Sequence, residues 1–170
     1  MKKMKLLLMG CIFLIISCTQ KNELFETGDD FVNDVKEMVN GITVAQAKTM
    51  MDTASFYMLI DVREAEEYHP GYIPGSVNIP RGVLEFNVAN DKFWESKSLY
   101  TPYRTDMIFV YCKKGKRSIL AASTLEKMGY TNVKYLEGGF KQWELSYPND
   151  YERDEIEHGH AEEAEEVGGC

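Results

Sequence analysis

Met107-Ile108-Phe109-Val110-Tyr111-Cys112-Lys113-Lys114-Gly115-Lys116-Arg117-Ser118 joins an unbroken apolar run to a cysteine and then to a short basic loop. Met107 to Tyr111 lacks the polar alternation of a strand open to water on one side, and so reads as a buried parallel strand. From Ser118 to Met128 the pattern becomes helical, and Gly129 follows where a C-cap glycine belongs. A strand that delivers a cysteine at its carboxyl end and feeds a helix through a tight turn places that cysteine where open α/β sheets bind ligands.

The same rhythm continues on both sides of this stretch. Ile42 to Val44 reads as a short strand and Ala45 to Met51 as a helix. Phe56 to Asp61 is an apolar run ending in a charge, and Ser76 to Ile79 is a strand bracketed by Pro74-Gly75 and Pro80. Val133 to Leu136 is the last strand, followed by Gly138-Gly139 and a helix through Trp143. Ahead of them, Phe31, Val35, Met38 and Val39 recur at helical spacing and predict a short amphipathic helix before Gly41. Alternating strands and helices predict an α/β fold, a parallel sheet covered by helices on both faces.

The chain has 170 residues, room for one ordinary domain with short extensions, and a formal net charge of -8, which argues against a nucleic-acid surface. Its first residues do not read as part of the fold. Lys2, Lys3 and Lys5 precede an apolar run from Leu6 to Ile16 that is too short to span a bilayer and has the form of a signal h-region. Ile15-Ile16-Ser17-Cys18 resembles the lipobox of bacterial lipoproteins, which implies cleavage before Cys18 and acylation of that residue. The expected location is then the cell envelope, lipid-anchored and facing the periplasm. Thr19, in place of the aspartate that retains enteric lipoproteins at the inner membrane, favours the outer one. An uncleaved anchor or a plain secretory signal is the alternative.

Processing would discard residues 1–17 with Cys11, leaving Cys112 and Cys170 as thiols, too few to staple a small exported domain. Residues 18–40 read as a tether and short helix, 41–148 as the domain, and 149–170 as an acidic tail. Asp150 to Glu166 holds nine carboxylates, with Arg153, His158 and His160 among them, and little to bury. The histidines lack the spacing of a closed zinc site, so no metal is expected. Cys170 is either a resolving thiol for Cys112 or an incidental exposed one.

The loop after the central strand carries the chemistry. Its backbone amides converge on one point, and the helix N-terminus adds partial positive charge. Lys113, Lys114, Lys116 and Arg117 supply up to four full charges, depending on where they point. Both effects favour thiolate over thiol and make Cys112 a candidate nucleophile. A lone cysteine at a strand end is otherwise a small buried hydrophobe.

Four strings in order, Asp61-Val62-Arg63-Glu64, Gly71-Tyr72-Ile73-Pro74-Gly75-Ser76-Val77-Asn78-Ile79-Pro80, the Cys112 loop, and Glu137-Gly138-Gly139 with Trp143, make residues 41 to 145 resemble the rhodanese family. The resemblance implies a rhodanese-like domain with a parallel five-stranded sheet flanked by helices on both faces. It also implies that Cys112 attacks the outer sulfur of thiosulfate or another sulfane donor, a small sulfur-containing anion. The resulting persulfide passes its sulfur to cyanide or to a thiol acceptor, a small molecule or a protein, without a cofactor. Lys113, Lys114, Gly115, Lys116, Arg117 and Ser118 form the substrate-binding loop. Arg117 is either a sulfonate clamp or a salt-bridge partner of Asp61 or Glu64, and Asp61 and Arg63 orient the loops. Phosphatases that use a cysteine space it from arginine by five residues. Here four intervene, a tighter ring that suits sulfur better than phosphate.

The sequence departs from the family pattern at three places. Tyr72 stands where many relatives have histidine, and Lys113 where arginine is frequent. The stretch 81–106 is long and aromatic, with Phe86, Phe93, Trp94, Tyr100 and Tyr103, and is either a lid over the site or extra packing at a sheet edge. His69 beside Pro70 reads as loop, without an identifiable partner. Three functions stay open: a sulfurtransferase, a non-catalytic anion- or redox-sensing or partner-binding module, and a periplasmic persulfide carrier to a partner protein.

Overall fold

The computed structural model describes residues 24–154. Cys18, His158, His160 and Cys170 lie outside that range. Five strands, β1 (Gly41–Ile42), β2 (Met58–Asp61), β3 (Val77–Asn78), β4 (Ile108–Tyr111) and β5 (Val133–Leu136), pair in parallel in the order β1-β5-β4-β2-β3. The expected parallel sheet is present, with β4, the strand that runs into Cys112, at its centre. Asp61 sits opposite both Tyr111 and Asn78, so β2, β3 and β4 end level and present their carboxyl ends together.

Period-two alternation divides the core. Ile108, Val110 and Cys112 join Ile60, Val62 and Leu125 on one face, while Phe109 and Tyr111 join Leu59, Ala47 and Trp143 on the other. The first face is covered by α1 (Gly28–Lys36), α4 (Leu84–Asn87), α5 (Asp91–Glu95) and α6 (Lys116–Lys127), the second by α2 (Val44–Thr53) and α7 (Gly139–Ser146). A short α3 (Ala65–Tyr68) follows β2.

Several element limits differ from the sequence reading, each for a local reason. Thr43 is not strand: its hydroxyl accepts from Gln46 N while Gln46 Oε1 accepts from Thr43 N at 2.9 Å, a capping box that starts α2 at Val44. Gly115 takes φ +103, which lets α6 begin at Lys116, two residues earlier than expected. The inner face of α1 is Val32 and Val35; Phe31 leans outward on Phe25, and Met38 lies beyond the helix end, exposed. Ahead of residue 41, α1 packs on α6, and its Val32 and Val35 join the main core.

The chain beyond residue 148 also packs on the fold. Residues 151–154, expected to belong to a solvated tail, are docked on the domain: Tyr72 N donates to Glu152 O at 2.8 Å, and Glu152 N donates to Tyr72 O at 2.9 Å. The aromatic stretch divides its roles. Trp94 is fully buried and donates Nε1 to Val88 O at 2.9 Å, with Phe93 packed against the same core. Phe86 and Tyr103 are exposed. Tyr100 packs on Phe56, just ahead of β2, at the end of the sheet opposite Cys112. Tyr100 and Tyr103, packed together there, are therefore no lid over Cys112.

Candidate active site

Cys112 is the first residue beyond β4, 2% exposed, and its Sγ accepts a hydrogen bond from Gly115 N at 3.2 Å. The turn that returns this amide to the sulfur requires the positive φ of Gly115, disfavoured for residues with a Cβ. Ser118 Oγ and Ile119 N both donate to Gly115 O, at 2.9 and 3.0 Å, fixing the loop to the first turn of α6. The sulfur thus lies at the N-terminus of a twelve-residue helix whose partial positive charge favours an anion.

The loop is held from its other side by Gly138-Gly139. Phe140 N donates to Cys112 O at 2.8 Å and Lys141 N to Lys113 O at 3.0 Å, so orphan amides at the start of α7 are satisfied by the cysteine loop itself. That approach leaves no room for a side chain: a Cβ on Gly139 would lie 2.1 Å from Cys112 O.

Asp61 and Arg63 brace the neighbouring loops and make no hydrogen bond to Cys112. The Arg63 guanidinium donates Nε and Nη2 to Asp61, Nη1 to Glu67 O at 2.8 Å and Nη2 to Gly71 O at 2.8 Å. It also lies 4.3 Å from the Phe140 ring centroid. Both residues are almost fully buried. Burial pushes the Asp61 carboxyl above its ordinary value, and Arg63 opposes that shift. Tyr111 OH accepts from Ile73 N and donates to Ser76 Oγ at 2.9 Å, tying the end of β4 to the 71–80 segment.

The four loop cations do not all surround the sulfur. Lys116 Nζ turns away to Asp29, 2.7 Å from both carboxylate oxygens. Arg117 is paired, but with neither Asp61 nor Glu64: its Nη1 and Nη2 donate to Glu67 Oε2 and Oε1 at 2.5 and 2.9 Å. The Glu67 carboxylate above all, with a weaker contribution from Cys112, holds the Arg117 guanidinium more firmly protonated, against the opposing effect of burial. Lys113 and Lys114 line a cleft of about 610 Å³ together with Arg63, Glu67, Gly71 and Lys141. The size suits a small molecule.

One cluster went unseen in the sequence. Tyr72 stacks on Tyr68 with ring centroids 4.2 Å apart, and its hydroxyl donates to Asp154 Oδ1 at 2.9 Å. Desolvation, then Asp154, pushes the Tyr72 phenol up to about 12. His69 has a partner after all, since its Nδ1 meets the other Asp154 oxygen. The strap 151–154 is thereby fastened beside Gly71 at the cleft, through partners more than eighty residues apart. Nothing in the local sequence announces such a contact.

A family model described as the rhodanese-like domain matches residues 43–146. The chain belongs to the rhodanese-like family. This rhodanese-like chain is 35% identical to the putative mitochondrial thiosulfate sulfurtransferase of Schizosaccharomyces pombe, over 51% of its own length and 62% of that relative. It is 34% identical to thiosulfate sulfurtransferase 18 of Arabidopsis thaliana, over 70% of its own length and 89% of the relative. Two Bacillus subtilis relatives are matched over 57% and 59% of their length, so the chain spans less than two thirds of several curated relatives. Among solved structures it superposes on the human single-domain sulfurtransferase TSTD1 with a TM-score of 0.58 and 27% identity, covering 63% of this chain and 96% of that one. Both α1 and the 151–154 strap lie outside the matched range.

Proposed function

We propose that this rhodanese-like protein is a sulfurtransferase that carries a sulfane sulfur on Cys112 as a persulfide. The observation that carries the reading is the Cys112 sulfur at the carboxyl end of β4, held by the Gly115 amide at the N-terminus of α6. In the first step the Cys112 thiolate attacks the outer sulfur of the donor. A Cys112–sulfur bond forms, the donor's sulfur–sulfur bond breaks, and its electron pair leaves with sulfite or a thiolate. In the second step an acceptor thiolate attacks the outer sulfur of the persulfide, and the Cys112 thiolate is released. The Gly115 N–H and the α6 terminus favour negative charge at the sulfur in both resting and leaving forms. The four-residue span from Cys112 to Arg117 supports sulfur over phosphate as the group carried.

Sulfur transfer from thiosulfate or polysulfide to a small thiol checks this. Cys112→Ser is expected to lower the rate by at least about three orders of magnitude, with no phosphate-ester hydrolysis by either protein. Retention of transfer by the serine variant would contradict the proposal.

The same proposal includes a lipid anchor at Cys18, facing the periplasm, supported by the basic and apolar run from Lys2 to Cys18. Cys18→Ala is expected to move the protein from the membrane to the soluble fraction. A Cys18→Ala protein as firmly membrane-bound as the wild type would argue for an uncleaved apolar anchor instead.

A further inference from the structure

A planar fork with two parallel donors is suited to two oxygens of a sulfonate head. In the Cys112 site that fork belongs to Arg117, and it is filled by the Glu67 carboxylate, oxygen for oxygen, at 2.5 and 2.9 Å. We infer that Glu67 is a specificity-determining residue, a built-in competitor for the Arg117 fork that favours persulfide and polysulfide donors, which lack a sulfonate head, over thiosulfate. The inference rests on the persulfide function proposed above and names its donor class.

Three observations support it. First, the Glu67 backbone is fixed by the fold while its carboxylate is held by Arg117: the Glu67 carbonyl accepts from buried Arg63, its amide donates to Glu64 O at 3.0 Å, and both carboxylate oxygens accept from Arg117. The Glu67 side chain is 29% exposed and lines the cleft. An incoming anion therefore meets Glu67 at a place where it can be displaced only by breaking two charge-assisted hydrogen bonds. Second, Arg117 holds Glu67 below the usual carboxylate range, so the competitor stays charged where sulfur chemistry operates. Third, Lys113, Lys114 and Lys141 line the same cleft with no carboxylate at ion-pair distance among the described residues. Glu66, Glu67 and Glu144 line it too, so the cleft carries charges of both signs, and it is the fork, not the cleft's net charge, that distinguishes a sulfonate head. A polysulfide reaches Cys112 without needing the fork; thiosulfate binds well only after evicting Glu67.

The test uses two readouts. In a Cys112→Ser background, which cannot turn over, sulfite binding is measured by calorimetry with and without Glu67→Gln. Tightening of about tenfold is expected on removing the competing charge. In the active protein, the ratio of kcat/KM for thiosulfate to that for inorganic polysulfide is expected to rise about tenfold in Glu67→Gln. Because the ratio is taken within one protein, a fraction of misfolded variant cancels. Glu67→Asp, a shorter carboxylate, is expected to fall between the two. If Glu67 instead only orients Arg117, sulfite binding weakens in Glu67→Gln and the ratio stays flat or falls, and the inference is overturned. If no donor loads Cys112 at all, the function proposed above fails, while the sulfite comparison still decides whether Glu67 competes for the fork.

Discussion

Gly139→Ala is expected to abolish sulfur transfer and to lower stability by about 3 kcal/mol. The added methyl would stand 2.1 Å from Cys112 O and 3.0 Å from the carbonyl carbon of Lys113, distances at which backbone must move. The residue also holds φ +58, where a side chain costs about 1–2 kcal/mol. Relief of the clash separates α7 from the loop and strains or breaks the bonds from Phe140 N to Cys112 O and Lys141 N to Lys113 O, each worth about 1 kcal/mol. The sulfur then loses its fixed relation to the Gly115 amide. Gly129→Ala is the control: φ is +92 and nothing lies within 4 Å of its Cβ, so it carries the backbone strain without the collision, at the far end of α6. Denaturant unfolding and transfer rates decide the matter. A Gly139→Ala protein as active and as stable as Gly129→Ala would contradict the role assigned to the close approach.

Arg63→Met is expected to cost about 3–5 kcal/mol, because it strands a buried carboxylate and leaves the Glu67 and Gly71 carbonyls without their donor. The companion change should recover much of the loss: Asp61→Asn combined with Arg63→Met removes the isolated charge. The pH dependence has a definite sign. Burial already raises the folded-state pKa of Asp61, and without Arg63 it rises further. A carboxyl with a raised folded pKa favours the fold below its unfolded value, about 3.9, and withdraws that support as pH climbs through the folded value. The deficit of Arg63→Met relative to wild type should therefore be greatest near neutral pH and shrink on acidification. Unfolding midpoints measured from about pH 7 to pH 5 would show it, and a deficit that is small and flat with pH would count against the buried pair as the brace of the 63–71 loop.

What the sequence reveals here depends on how local the cause is. Five apolar residues before Cys112 can only be a doubly covered strand, so β4 and the position of the cysteine at its end are legible. The glycine at 115 announces a tight loop, and Glu137-Gly138-Gly139 marks the family, but why Gly139 must be glycine is visible only once Cys112 O is seen against it. The Thr43–Gln46 box is local and written in the sequence, yet the apolar look of Ile42-Thr43-Val44 outweighs it and shifts the expected strand. Arg117 shows the limit most clearly. Its charge and fork are evident, while its partner depends on α3 presenting Glu67, rather than Asp61 or Glu64, fifty residues away. The docking of residues 151–154 on His69 and Tyr72 is longer in range still, and acidic composition alone gives the opposite expectation.

The most direct test of the persulfide is intact mass of the protein after mixing with polysulfide or thiosulfate, beside a Cys112→Ser control. A gain of one sulfur atom, removed by cyanide and absent from the control, is the predicted result. No adduct with thiosulfate, polysulfide or a small persulfide would contradict sulfur transfer through Cys112.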